Sequence, residues 1–75
     1  MATEEINNFY SRIGENVAAA RQKKGISQLE LAEGIGHTST TVVSLAELNK
    51  GKHFNLEHLY KISRFLNVDI CELIR

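Results

Sequence analysis

Apolar residues recur along this chain at steps of three and four, the period of helices that bury one face. Ile6, Phe9, Tyr10, Ile13 and Val17, continued by Ala20, predict a long first helix from about Asn7 to Lys24, ended by Gly25. Ser27-Gln28-Leu29-Glu30 has the form of a capping box and opens a second helix that runs to about Ile35. Thr38 is the expected N-cap of a third helix, which should turn Val42 and Leu45 inward. Asn55 caps a fourth through Leu56, Leu59, Ile62, Phe65 and Leu66. Asp69-Ile70-Cys71-Glu72 reads as a further capping box before a short last helix with Leu73 and Ile74. The expectation is five helices and almost no strand, with no proline, linker or internal repeat.

One spacing says more than the period. Leu31-Ala32, Ile35-Gly36, Val42 and Leu45 follow Ser27-Gln28 at offsets that suit two short helices crossing closely. Ala32 leaves room for the second helix. Gly36 can take the left-handed conformation that a side chain resists, so the chain can reverse within about three or four residues. These are the features of a DNA-binding helix-turn-helix.

From Ile13 to Ile74 the chain resembles the lambda-repressor/Cro-type helix-turn-helix proteins, the Xre family. The residues that carry the resemblance are Ile13-Gly14-Glu15-Asn16, Arg21, Lys24-Gly25-Ile26-Ser27-Gln28, Leu31-Ala32, Ile35-Gly36, Thr41-Val42, Gly51-Lys52, Leu59, Ile62, Leu66-Asn67-Val68 and Glu72-Leu73. The resemblance implies an all-α, five-helix, lambda-repressor-like domain with the helix-turn-helix at its second and third helices. That single domain spans residues 1–75, with 1–12 as an N-terminal extension of the first helix. It also implies a transcription regulator of bacterial or phage type that binds double-stranded operator DNA as a homodimer.

Roles follow position by position. Ser27 and Gln28 would meet the phosphate backbone, as would Thr38, which also caps the third helix. Ser39, Thr40 and Ser44 would reach base edges in the major groove. Asn49, Lys50 and Lys52 would hold further phosphates. Arg21, Ala32, Gly36, Val42, Leu45 and Glu47 would be structural. Short hydroxyl side chains read bases less sharply than Gln or Arg, so DNA shape should contribute to specificity.

The chain departs from the family at three places. The family's glutamate directly follows the last apolar residue of the third helix and pairs with the first-helix arginine; here Ala46 holds that place and Glu47 is one step on, roughly 100° around a helix. The segment before Gly51 is longer than usual. His37 stands where an aliphatic residue is usual after Gly36.

Composition narrows the reading. A chain of 75 residues makes one small domain, which buries only about 60% of its unfolded surface. Nine basic and nine acidic residues give zero net charge, so any grip on phosphate must come from local clusters such as Lys23-Lys24 and Lys50-Gly51-Lys52. This neutrality supports an alternative reading, a protein-interaction or antitoxin-like module that uses the same fold with weak DNA binding. No apolar run approaches the roughly 20 residues of a membrane span, and the acidic N-terminus resembles no signal peptide. With the single Cys71, this predicts a cytoplasmic protein, at the nucleoid if it binds DNA. His37, His53, His58 and Cys71 match no zinc spacing, and no catalytic constellation is present, so no cofactor, metal or enzymatic activity is expected. Phe54, Ile70, Leu73 and Ile74 are expected to form an exposed apolar patch and hence the dimer interface. Cys71 is expected to be a small buried or interfacial residue.

Overall fold

The computed structural model describes residues 3–75; Met1 and Ala2, the first residues of the expected extension, lie outside them. The chain forms α1 (Thr3–Lys23), α2 (Gln28–Gly34), α3 (Thr41–Glu47), α4 (Leu56–Leu66) and α5 (Cys71–Ile74). The first helix begins four residues earlier than the apolar period suggests, with Glu4 and Glu5 in its first turn and Arg21 and Lys23 in its last. Both placements suit the helix dipole.

Four of the helices end in one way. A residue with positive φ follows each, and two backbone N–H groups fold back onto carbonyls of the last turn. Gly25 (φ 71°), Gly36 (φ 94°), Asn49 (φ 53°) and Asn67 (φ 56°) hold these positions. After α2, for example, the Gly36 amide donates to the Glu33 carbonyl at 3.1 Å and the His37 amide to the Ala32 carbonyl at 2.8 Å. This pair of hydrogen bonds ends a helix sharply, and asparagine is the residue best able to replace glycine there. Short helices can therefore follow each other without long loops.

The core draws on every helix: Ile13 and Val17 of α1, Leu31, Ala32 and Ile35 around α2, Val43 and Ala46 of α3, Leu59, Ile62 and Leu66 of α4, and Leu73 of α5. Phe54, in the loop before α4, fills the same core. Gly14 is required by packing. A Cβ there would stand 2.5 Å from the Glu47 carbonyl oxygen, so α1 and the end of α3 meet backbone to backbone.

The C-terminus differs from expectation. The Asp69 carboxylate accepts from the Cys71 amide at 2.9 Å, but Glu72 does not reach back and α5 has no side-chain cap. Instead α5 is clamped onto α1. Asn16 Nδ2 donates to the Leu73 and Arg75 carbonyls at 3.2 and 2.9 Å, and Arg12 Nε donates to the Arg75 carbonyl at 3.1 Å. Leu73 is thereby sealed inside its own chain, Phe54 is buried in the common core, and Ile70 is half-buried. Of the expected apolar patch only Ile74 stays exposed, because the long α1 supplies a surface for α5 to cover. Cys71 is not buried: it is exposed, and its hydrogen bond with Asp69 and that residue's charge push the thiol's pKa up.

Candidate DNA interface

The candidate site is built on an ion pair. Arg21 Nε donates to Glu47 Oε2 at 2.8 Å and Arg21 Nη2 to Glu47 Oε1 at 3.1 Å, both buried. Arg21 Nη1 donates to the Ile26 carbonyl at 2.9 Å. Gln28 Nε2 completes the group by donating to Glu47 Oε1 at 3.0 Å. One carboxylate thus ties the end of α1, the start of α2 and the end of α3. A fork-to-fork arginine–carboxylate pair fixes orientation as well as distance, so it sets the rotation of α3 about its own axis.

That rotation differs from the periodicity reading by one residue. With Glu47 inside, Val43 lies on the same face one turn earlier and Ala46 borders it, and both are buried. Val42 and Leu45, expected inside, are half-buried instead. Glu47 directly follows Ala46, the last buried apolar residue of α3, so the apparently misplaced glutamate is in its usual relation to the core. Thr38 does not cap α3. Thr40 precedes the helix in an αR conformation without a side-chain cap bond, and α3 starts at Thr41.

The turn and the outer face of α3 carry hydroxyls and methyls. Thr38 and Ser39 are exposed, and Thr40 and Ser44 are half-buried. Ser39 Oγ donates to Thr41 Oγ1 at 3.3 Å, and Ser44 Oγ donates to the Thr41 carbonyl at 3.3 Å. Opposite the buried face lie Thr41, Leu45 and Leu48, with Leu48 65% exposed. The periodicity reading gave Leu45 a core role and Leu48 none. The signal for this phase is the Arg21–Glu47 pair, which turns Glu47 inward and Thr41, Leu45 and Leu48 to the opposite side.

The sequence matches the family model described as helix-turn-helix over residues 17–73, which includes the Arg21–Glu47 pair and everything built on it. The chain belongs to the helix-turn-helix family. This is the Xre, lambda-repressor-type branch, whose members are DNA-binding transcription regulators rather than enzymes. No curated protein matches the chain.

In this helix-turn-helix protein, α2 is opened as expected. Ser27 Oγ accepts from the Glu30 amide at 3.0 Å and the Glu30 carboxylate accepts from the Ser27 amide at 2.8 Å. The Ser27 amide and hydroxyl hold the Glu30 carboxyl below the usual carboxylate range. Ser27 is exposed, whereas the Gln28 side chain is half-buried and engaged with Glu47.

The loop after α3 divides its expected phosphate contacts. Asn49 is the left-handed residue that ends α3, and its Nδ2 faces α1. It lies 2.8 Å from Asn7 Oδ1, 3.2 Å from the Asn7 carbonyl and 3.0 Å from Ser11 Oγ. Its amide is therefore committed within the fold. Lys50 and Lys52 are exposed on either side of Gly51, whose φ is 78°. Further on, the Tyr10 and His53 rings stack with centroids 3.8 Å apart, which fastens the loop to α1.

Asn55 caps α4 as expected, and the reciprocal partner is His58. The Asn55 carbonyl oxygen Oδ1 accepts from the His58 amide at 2.7 Å and His58 Nδ1 accepts from the Asn55 amide at 3.2 Å. Burial, followed by the nearby His37, lowers the His58 pKa. Among the described residues no three His, Cys, Asp or Glu side chains are placed to hold a metal, and no helix is long and apolar enough to cross a membrane.

Proposed function

We propose that the protein is a repressor that binds a pseudo-palindromic operator as a homodimer, with α3 in the major groove. The observation that carries this reading is the Arg21–Glu47–Gln28 clasp. It locks α3 across α2 while leaving the turn before α3 and its outer face open to solvent. Ser39 and Thr40 in the turn just before α3, and Ser44 in its first turn, are the polar groups nearest to base edges in this reading. Ser27, Thr38, Lys50 and Lys52 serve the phosphates, with Gln28 buttressing the site through Glu47 rather than gripping the backbone itself. Repression is by occupancy: two recognition helices enter successive major grooves about 34 Å apart and exclude other proteins from the site.

Selection from random duplex DNA tests the reading. The expected product is a two-fold symmetric motif with half-site centres about 10 base pairs apart. Failure to enrich any motif, with no salt-dependent retention on duplex DNA, would overturn it in favour of a protein partner. The phosphate assignment has its own check. Lys52→Ala should weaken binding to all sequences alike and lower the salt slope by about one. A loss confined to the selected motif with the slope unchanged would contradict it.

A further inference from the structure

The rotation imposed on α3 by Glu47 leaves Thr41 and Leu45 in a line on its outer face, at positions i and i+4, continued at i+7 by Leu48, the residue that caps the helix in an αR conformation. Thr41 is exposed, Leu45 half-buried and Leu48 65% exposed. We propose that this ridge reads thymine through its 5-methyl group, which makes Leu45 and Leu48 specificity-determining residues. The proposal rests on the DNA-binding reading above and adds the chemistry of the readout.

The first ground is what α3 lacks. Its sequence, Thr41-Val42-Val43-Ser44-Leu45-Ala46-Glu47, has no Arg, Lys, Asn or Gln that could make the bidentate bonds by which guanine and adenine are read. Its one acid is held by Arg21, and the Ser44 hydroxyl is turned onto the Thr41 carbonyl. Methyl groups are therefore the main chemistry left to present. The one apolar feature on the floor of the major groove is the thymine methyl.

The second ground is dimension. Seven residues of helix span about 10 Å at about 1.5 Å each. Bases along one strand are about 3.4 Å apart, so the ridge covers roughly three steps. The third ground is its border. Exposed Thr38 and Ser39 stand at one end, and exposed Lys50 and Lys52 at the other. Cations and hydroxyls beside an apolar ridge suit a polyanion whose bases lie between its phosphates. An apolar centre with a polar rim is also the form of a protein interface, so the test below includes the oligomeric state.

The test replaces thymine by deoxyuridine, one position at a time, in the duplex selected above. This removes only the methyl and cannot disturb the protein's fold. Binding should weaken about four-fold at each thymine the ridge touches, the effect of one buried methyl. Leu48→Ala, at an exposed position, should melt like the wild type and lose the uracil sensitivity of one thymine in each half-site. A selected site bound equally well with uracil throughout would overturn the ridge and leave the DNA-binding reading intact. Absence of any selected site would overturn both. If Leu48→Ala and wild type bind the site alike but only the wild type is dimeric in sedimentation, the ridge is a protein interface and the proposal fails.

Discussion

At the scale of single residues the decisive group is Glu47. Its carboxylate is 3% exposed and accepts from Arg21 twice and from Gln28 once, so its charge is matched inside the domain. Removing one member of such a pair leaves the other buried without a partner. Glu47→Ala should therefore cost about 3–5 kcal/mol, a large part of the stability of so small a domain. The same residue distinguishes two descriptions of α3. Val43 is fully buried and Leu45 is half-buried, so Val43→Ala should lower stability by about 1.5–3 kcal/mol and Leu45→Ala by clearly less. Urea unfolding of the two variants decides the order. The opposite ranking would mean that α3 has the phase its apolar period suggested. That period was ambiguous for a physical reason. Val42, Val43, Leu45 and Ala46 are all apolar, and two adjacent faces of a seven-residue helix look equally able to turn inward. Only the long-range partner of Glu47 chooses between them.

At the scale of elements, local signals were legible where both partners lie within four residues. The Ser27–Glu30 box, the glycine after α1 and α2, and the Asn55 cap of α4 are all short-range chemistry, and all are present. Thr38 and Asp69 have the residue types of helix caps but do not cap α3 and α5 as expected. There the turn geometry is set by tertiary contacts, the Arg21–Glu47 pair in one case and the clamp of α5 on α1 in the other. His58 as the reciprocal cap of Asn55 was missed because glutamate or glutamine usually holds that position. Its role makes α4 sensitive to acid. Burial and the neighbouring His37 lower the His58 pKa, so the unfolded chain binds a proton more readily than the folded one. The ordinary histidine value is about 6.5. The stabilisation linked to neutral His58 is therefore complete above that pH and is lost as pH falls through and below it. The melting temperature should drop between pH 7 and pH 5, and His58→Asn should show a smaller drop from its own starting value. An equal drop in both proteins would assign the acid sensitivity to other groups.

At the scale of the whole molecule, α1 is the organising element. Its 21 residues are about 32 Å long in a body 36 × 24 × 19 Å in extent, and it carries Gly14 against α3 and Asn16 against α5. By covering Leu73, α1 removes most of the apolar patch expected at the C-terminus, yet it also presents a new one. Ile6 is 45% exposed, Phe9 38% and Ile74, on α5, 38%. Arg12 lies over the Phe9 ring at 5.6 Å and also bonds Arg75, so Phe9 and the end of α5 belong to one side of the molecule. A stable dimer buries at least about 1,000 Å² in total, or about 500 Å² from each partner. That is near a tenth of the 4889 Å² surface of this chain. A two-fold operator needs two copies of α3 held on one side of the assembly, and a face made of α1 and α5 lies on helices other than α3 itself. If the proposed homodimer uses this face, Ile74→Glu should convert it to a monomer in sedimentation while leaving the helical signal intact, because Ile74 is not part of the buried core. Affinity for a full two-fold site should fall toward that for a half-site. A wild-type chain that sediments as a monomer at high micromolar concentration would contradict the assembly. An unchanged dimer in Ile74→Glu would place its interface elsewhere on the surface.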